Sequence, residues 1–174
     1  MRLFIALQPS PAFRDALVSL QERLQAAGVT GRYLTPENLH LTLAFLGEQP
    51  GPDKAAEALE ALQAPAGELL LDHYEVFRRT EILYLAPRED GPARAVAMAL
   101  ERELRSRGFR LEARPFKAHL TLCRRIRLPE GSLPLPQQVR VPAREAVLFE
   151  SHRPGGVLTY TPLVRKALDE KGGA

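Results

Sequence analysis

A chain of 174 residues with 45% apolar side chains is long enough for one domain with its own core, and it is too apolar to stay disordered. No apolar run approaches the about 20 residues that a membrane helix needs, and the single cysteine excludes an internal disulfide. The formal charge of +3 is a modest basic excess, which is compatible with an anionic partner.

The first half of the chain predicts a strand, a capped helix, a second strand and a second helix. The apolar run in the first strand, 2–7, is too short for a signal peptide, so we expect a cytoplasmic protein without a membrane partner. Ser10 can cap a helix that has proline at its first position and ends at Gly28. A short extended piece and a turn, RYLTPEN, precede the strand 40–46, and the Ala-rich stretch 51–64 predicts the second helix.

The second half repeats the order of helix, glycine, polar residues and strand, which indicates an internal duplication. A proline-rich loop, a closing pair of strands and a frayed tail follow. The predicted segments are strands 68–77 and 81–86, helix 91–108, strand 116–123, loop 127–138, strands 144–150 and 157–168, and tail 169–174. The pattern predicts a single α+β domain, 1–174, of two pseudo-symmetric lobes, with antiparallel sheets, helices on the outer faces and a central groove.

The tetrapeptide HLTL occurs once in each half, beginning at His40 and at His119. Because side chains alternate along a strand, histidine and threonine share one face of each copy and the leucines share the other. We expect the apolar face, which includes Phe45 in the first copy, to be buried and the two polar faces to meet across the groove. The predicted groove residues are His40, Thr42, His119 and Thr121.

Two imidazoles on opposite sides of a substrate can act as base and acid at once near neutral pH. Threonine hydroxyls can donate hydrogen bonds to oxygens that gain charge, so the pattern suits displacement at phosphorus without a covalent intermediate. One histidine per strand is a poor metal site, and no glycine-rich phosphate loop is present. We therefore expect no metal and no cofactor. A duplication that retains no chemistry is the structural alternative.

At these residues the chain resembles the 2H phosphoesterase superfamily, which two His-x-Thr/Ser-x motifs define. The segments TPENLHLTLAFLG, RPFKAHLTLCR and SHRPGGVLTYTPL are similar to those of the bacterial and archaeal RNA 2',3'-cyclic phosphodiesterases, also called 2'-5' RNA ligases. The resemblance implies hydrolysis of 2',3'-cyclic phosphate ends, in tRNA halves or oligonucleotides, to 2'-phosphomonoesters. It implies that His40 is the proton donor, that His119 is the general base, and that Thr42 and Thr121 bind phosphate; the sequence itself does not order the two histidine roles.

Several residues are candidates for RNA binding. Arg124, just after the second motif, matches a family arginine, and Arg125 belongs to the same basic cluster. Phe4 and Tyr33 are possible stacking partners for a base, although each is more often a core residue. Of the other histidines, we expect a structural role for His73. For the histidine at 152, in the closing hairpin, we expect a solvated loop position in preference to the alternative, a place in the groove.

Two other functions remain open at this point, and both use the same groove. One is ATP-independent 2'-5' joining of RNA ends, and the other is a module that binds RNA ends without turnover. We expect a monomer. The composition, with fifteen prolines and Asn38 as the one asparagine, is typical of heat-adapted proteins, although a GC-rich genome produces a similar bias.

Overall fold

The computed structural model describes residues 1–136 and 138–169, and the predicted tail lies outside them except for Asp169. This part of the chain forms nine strands, three α-helices and two 3-10 turns, Pro36–Asn38 and Pro154–Gly156. The helices are α1 (Pro11–Ala26), α2 (Asp53–Ala61) and α3 (Gly91–Ser106). The strands are β1 (Arg2–Leu7), β2 (Thr30–Tyr33), β3 (Leu41–Glu48), β4 (Gly67–Phe77), β5 (Ile82–Pro87), β6 (Leu120–Arg127), β7 (Val139–Ala143), β8 (Glu145–His152) and β9 (Thr159–Ala167).

All strands join one antiparallel sheet in the order β7-β4-β5-β6-β3-β1-β8-β9, and β2 pairs with β6 outside this path. The two HLTL strands, β3 and β6, are therefore neighbours at the centre, with three strands beyond each of them in that order. The predicted α+β class with two lobes is confirmed. Each lobe combines distant parts of the chain, because the C-terminal hairpin β8-β9 joins the lobe of the first motif.

The helices pack on one face of the sheet and leave the other face for the groove. Along β1, Leu3, Ile5 and Leu7 are fully buried in the core cluster that contains the apolar side chains of all three helices. Phe4 and Ala6 point the opposite way and pack in a second, smaller cluster with side chains of β8. Strand alternation thus separates a helix-covered core from a groove-side aromatic layer. No helix in the described part of the chain has the length and apolarity that crossing a membrane requires.

Most predicted boundaries agree with the structure, and the differences have physical causes. The Ser10 side chain accepts a hydrogen bond from the Phe13 amide at 3.4 Å and caps α1 as predicted. The strand predicted at 116–123 begins only at Leu120, which is the first residue of this segment that pairs with β3 and β5. Strand β7 was not predicted. It contains Pro142, which an edge strand tolerates because its outer amides face away from the ladder.

The expectation that Phe45 is buried with the leucines is wrong. Phe45 is 51% exposed, whereas the next residue, Leu46, is 7% exposed and belongs to the core. The cause is a β-bulge against β1, where Ala6 pairs with Thr42 but Ile5 pairs with Ala44. The extra residue inverts the alternation, so that Phe45 pairs with Phe4 on the groove side of the sheet.

Candidate active site

The centre of the site is the antiparallel contact between β3 and β6. Leu41 pairs with Leu120, and both side chains are fully buried in the core. The residues that flank this pair on each strand therefore face the groove. When this register is extended by one residue in each direction, His40 lies opposite Thr121 and Thr42 lies opposite His119. We call these four groove residues the quartet, which consists of His40, Thr42, His119 and Thr121.

The main chain two residues upstream orients the imidazole of His40. Its Nδ1 lies 2.6 Å from the carbonyl oxygen of Asn38. A carbonyl can only accept, so Nδ1 carries the proton of the neutral ring and Nε2 has the free electron pair. The Nε2 atom lies 3.0 Å from Oγ1 of Thr42, and the threonine hydroxyl therefore donates to it.

His119 is oriented in the same way. Its Nδ1 donates to the carbonyl oxygen of Lys117 at 2.8 Å, so its Nε2 also has the free electron pair in the neutral ring. The Lys117 side chain is itself fixed, because its ammonium group lies 2.7 Å from Oε2 of Glu75. The hydroxyl of Tyr84 donates to the same carboxylate oxygen at 2.7 Å. An ion-paired network thus anchors the segment that positions His119.

Each histidine also lies against one phenylalanine and one tyrosine. The ring centroids of Phe4 and Tyr160 are 4.9 and 5.1 Å from that of His40. Those of Phe77 and Tyr84 are 5.2 and 5.5 Å from that of His119. The two halves of the site therefore share an environment that excludes water from one side of each imidazole.

This environment lowers the pKa of both imidazoles. The pKa of His40 is lowered to about 4, chiefly by burial; the hydrogen bond to the Asn38 carbonyl opposes the shift, and the charges of Arg124 and His119 add to it. Burial also lowers the pKa of His119, with smaller contributions from the charges of Lys117 and Arg124, while the hydrogen bond to the Lys117 carbonyl opposes the shift. In the free protein both rings are therefore neutral at pH 7, and both Nε2 atoms are proton acceptors.

The four RNA-binding candidates lie in different places. Arg124 is exposed on β6, where it pairs with Ile82 of β5, and it lines the cavity that contains His40 and Thr42. Phe4 is only 4% exposed and supports the His40 ring from behind. Tyr33 packs against the core and donates its hydroxyl to the Val29 carbonyl at 2.6 Å. Arg125, at a φ of 51°, lines neither histidine cavity, and RNA binding by these residues stays a prediction.

Two open cavities flank the quartet, and each has one histidine of the pair in its wall. The cavity on the His40 side has a volume of about 830 Å³. The cavity on the His119 side has a volume of about 1010 Å³. We call them the His40 cavity and the His119 cavity.

Two further histidines lie in the walls of these cavities. His152 was expected in a solvated loop, but it ends β8, lines the His40 cavity and has its Nε2 2.6 Å from Oγ1 of Thr161. His73 lines the His119 cavity, and its Nδ1 lies 2.8 Å from Oδ1 of Asp72. The pairing of β8 with β9 is what favours the groove position of the hairpin residues SHR over a solvated loop. Among the described residues, no group of three or more His, Cys, Asp or Glu side chains is arranged to hold a metal ion.

Comparison with known proteins gives consistent results. The profile of the family described as LigT like Phosphoesterase matches twice, at residues 7–84 and 85–159. The RNA 2',3'-cyclic phosphodiesterase of Escherichia coli is 31% identical over 175 residues, which cover 97% of each chain. The protein of the same name from Archaeoglobus fulgidus is 32% identical over 131 residues, 71% of this chain and 72% of the relative.

Solved structures show the same fold. Escherichia coli LigT in apo form has a TM-score of 0.82 at 30% identity over 96% of each chain. Its complex with 3'-AMP has a TM-score of 0.82 at 29% identity, covering 96% of this chain and 97% of the other. The protein TT0787 of Thermus thermophilus has a TM-score of 0.79 at 26% identity, over 98% of this chain and all of the other. With two His-x-Thr strands paired at the centre of this fold and a profile match in each half, the chain belongs to the LigT-like phosphoesterase family.

Proposed function

We propose that this protein hydrolyses the 2',3'-cyclic phosphate ends of RNA to 2'-phosphomonoesters, by acid–base catalysis without a metal ion or nucleotide cofactor. The observation that carries the proposal is the geometry of the quartet. The pairing of Leu41 with Leu120 brings two imidazoles to one groove, and carbonyl acceptors hold the proton of each ring on Nδ1. The names of the curated relatives support the choice of substrate.

In the proposed reaction the cyclic phosphate lies between the two Nε2 atoms. Nε2 of His119 takes a proton from water, and the water oxygen forms a bond to phosphorus. The bond from phosphorus to the 3'-oxygen breaks in line with the attack, and this oxygen takes a proton from Nε2 of His40. The hydroxyls of Thr42 and Thr121, with the guanidinium group of Arg124, hold the non-bridging oxygens.

The depressed pKa values give this reaction a defined starting state. Both rings are neutral in the free protein at pH 7 because burial disfavours their charged forms. A bound phosphate anion favours the charged form of a nearby imidazole, which lets His40 take up the proton that it later donates. Once protonated, Nε2 of His40 can no longer accept the hydrogen bond of the Thr42 hydroxyl, which lies 3.0 Å away. The hydroxyl of Thr42 then becomes available to the phosphate. Substrate binding and protonation are therefore coupled at one side chain.

Alanine substitution of either histidine tests the reaction. His40→Ala and His119→Ala should each lower kcat for a nucleoside 2',3'-cyclic phosphate about 10²- to 10⁴-fold, because a positioned acid or base contributes that much. Dialysis of the wild type against EDTA should leave the rate unchanged. Thermal melting of each variant is the control for folding. Wild-type turnover in either variant would contradict the two-histidine mechanism, and 2'-5'-linked products without hydrolysis would favour RNA joining instead.

A substrate with sulfur in place of the 3'-oxygen separates the two histidine roles. A thiolate leaves without needing a proton, so His40→Ala should recover much of its lost rate on this substrate. His119→Ala should remain slow, because the attacking water still needs a base. The opposite pattern, measured by the same release of thiol, would exchange the roles of the two residues.

A further inference from the structure

The two cavities differ in how their positive charges are used. The His119 cavity contains four cationic side chains, and each forms an ion pair. The pairs are Arg88 with Asp72 at 3.0 Å, Arg94 with Asp90 at 3.1 Å, Arg114 with Glu112 at 3.2 Å and Lys117 with Glu75 at 2.7 Å. In the His40 cavity, Arg2, Arg124 and Arg153 form no ion pair with any carboxylate of residues 1–136 and 138–169. The His40 cavity is thus the side that can attract phosphates.

The His40 cavity also contains an exposed aromatic ring. Phe45, which the bulge in β3 turns outward, is 51% exposed and lines this cavity. The guanidinium carbon of Arg2 lies 4.9 Å from its ring centroid. An apolar ring beside a cation, in a groove for a polyanion, matches the stacking platforms with which proteins bind single-stranded nucleic acids. The other aromatic rings at this site, Phe4 and Tyr160, pack against His40 instead.

The position of Phe45 indicates which nucleotide it would contact. It lies three residues beyond Thr42 on β3, which corresponds to about 10 Å along a strand. The terminal ribose must lie at the quartet if its cyclic phosphate does, so a ring at this distance is suited to the next nucleotide. Arg2 and Arg153 line the same cavity as Phe45 and Thr42, and Arg2 lies directly beside the Phe45 ring.

We infer that the His40 cavity is a subsite for the penultimate nucleotide of the RNA, with its base stacked on Phe45. Arg2 and Arg153 contact the phosphate that links this nucleotide to the terminal one. The inference rests on the proposed function for the position of the cyclic end. It makes the enzyme selective for RNA ends over free nucleoside 2',3'-cyclic phosphates, because a mononucleotide cannot reach the platform.

The test compares two substrates in the variant Phe45→Ala. For a dinucleotide that ends in a 2',3'-cyclic phosphate, kcat/KM should fall roughly tenfold, the loss expected for one stacked base. For the matching nucleoside 2',3'-cyclic phosphate it should not change. Phe45→Tyr, which keeps the ring, should behave as wild type on both. Met98→Ala is the matched control, because Met98 is 50% exposed but lies on α3.

A binding measurement separates failure of this inference from failure of the proposed function. Titration with a dinucleotide ending in a 2'-phosphate should give a dissociation constant roughly tenfold weaker for Phe45→Ala than for wild type, and with a nucleoside 2'-monophosphate the two proteins should agree. If the wild type hydrolyses neither cyclic substrate, the proposed function is overturned and this titration alone decides on the subsite. Equal effects of Phe45→Ala on the long and short ligands, or no effect on either, would overturn the subsite.

Discussion

The His40 imidazole is kept neutral by the same burial that places it in the groove. The aromatic rings of Phe4 and Tyr160 lie within about 5 Å of it, and its pKa in the folded protein is lowered to about 4. In an unfolded chain a histidine titrates near its ordinary pKa of about 6.5. Between these two values the unfolded state binds a proton that the folded state does not, so this residue reduces stability as the pH falls.

This difference predicts the pH dependence of stability. The free energy of unfolding of the wild type should decrease from pH 7.5 to pH 5, and His40→Asn should decrease less, by about 1–2 kcal/mol at pH 5. The reason is that asparagine takes up no proton on unfolding. Urea unfolding at the two pH values measures the effect. Parallel behaviour of the two proteins would mean that the His40 ring is not shielded from protonation in the folded state.

At the scale of elements, the strand β2 fixes the end of β6 where Arg124 enters the groove. Gly31 of β2 lies so close to β6 that a Cβ atom there would be 2.6 Å from the Arg124 carbonyl oxygen and 2.8 Å from Sγ of Cys123. Since Cβ atoms do not approach backbone oxygens that closely, only glycine fits without a shift of one strand. The position of Arg124 therefore depends on a residue without a side chain on another strand.

The variant Gly31→Ala should consequently be destabilised by about 1–3 kcal/mol, as is typical of overpacking. Its kcat/KM should also fall, because the Arg124 backbone has to move. Thermal melting and turnover of a cyclic phosphate measure the two effects. Gly51→Ala is the control, since a Cβ atom at Gly51 would meet nothing within 4 Å. Equal melting temperatures for the two variants would show that β2 and β6 separate easily.

At the scale of the whole molecule, the two cavities beside the quartet differ in charge, because the arginines that line the His40 cavity form no ion pair among the described residues, whereas those of the His119 cavity do. Counterion release makes the affinity for single-stranded RNA fall with salt, with a slope of about 0.7 per neutralised phosphate on logarithmic axes. Arg153→Ala should therefore reduce this slope by about 0.7. Arg114→Ala should leave it unchanged, because its guanidinium group already lies 3.2 Å from Glu112.

The measurement is the dissociation constant of a short RNA ending in a 2'-phosphate at several salt concentrations. The two arginines make a matched pair, because each lines one of the two cavities. A smaller slope for Arg114→Ala than for Arg153→Ala would place the RNA in the His119 cavity. The charge arrangement predicts the His40 side.

The sequence by itself determined the α+β class, the cap at Ser10 and the two strand faces that carry histidine and threonine. These features depend on residues close together in the chain, and alternation along a strand is a local property. Sequence reasoning misplaced Phe45 and His152. The bulge that exposes Phe45 depends on pairing with a partner strand, and the position of His152 depends on the pairing of β8 with its neighbours.

Only the tertiary structure decided how the two motifs meet. The pairing of β3 with β6 joins Leu41 to Leu120 across 79 positions of sequence, and it brings both imidazoles to one groove. The C-terminal hairpin completes the cavity of the first motif rather than that of the second. Likewise, two of the four ion pairs in the His119 cavity, Arg88 with Asp72 and Lys117 with Glu75, join distant parts of the chain. Such contacts follow from which strands become neighbours, and no local pattern of residues encodes that choice.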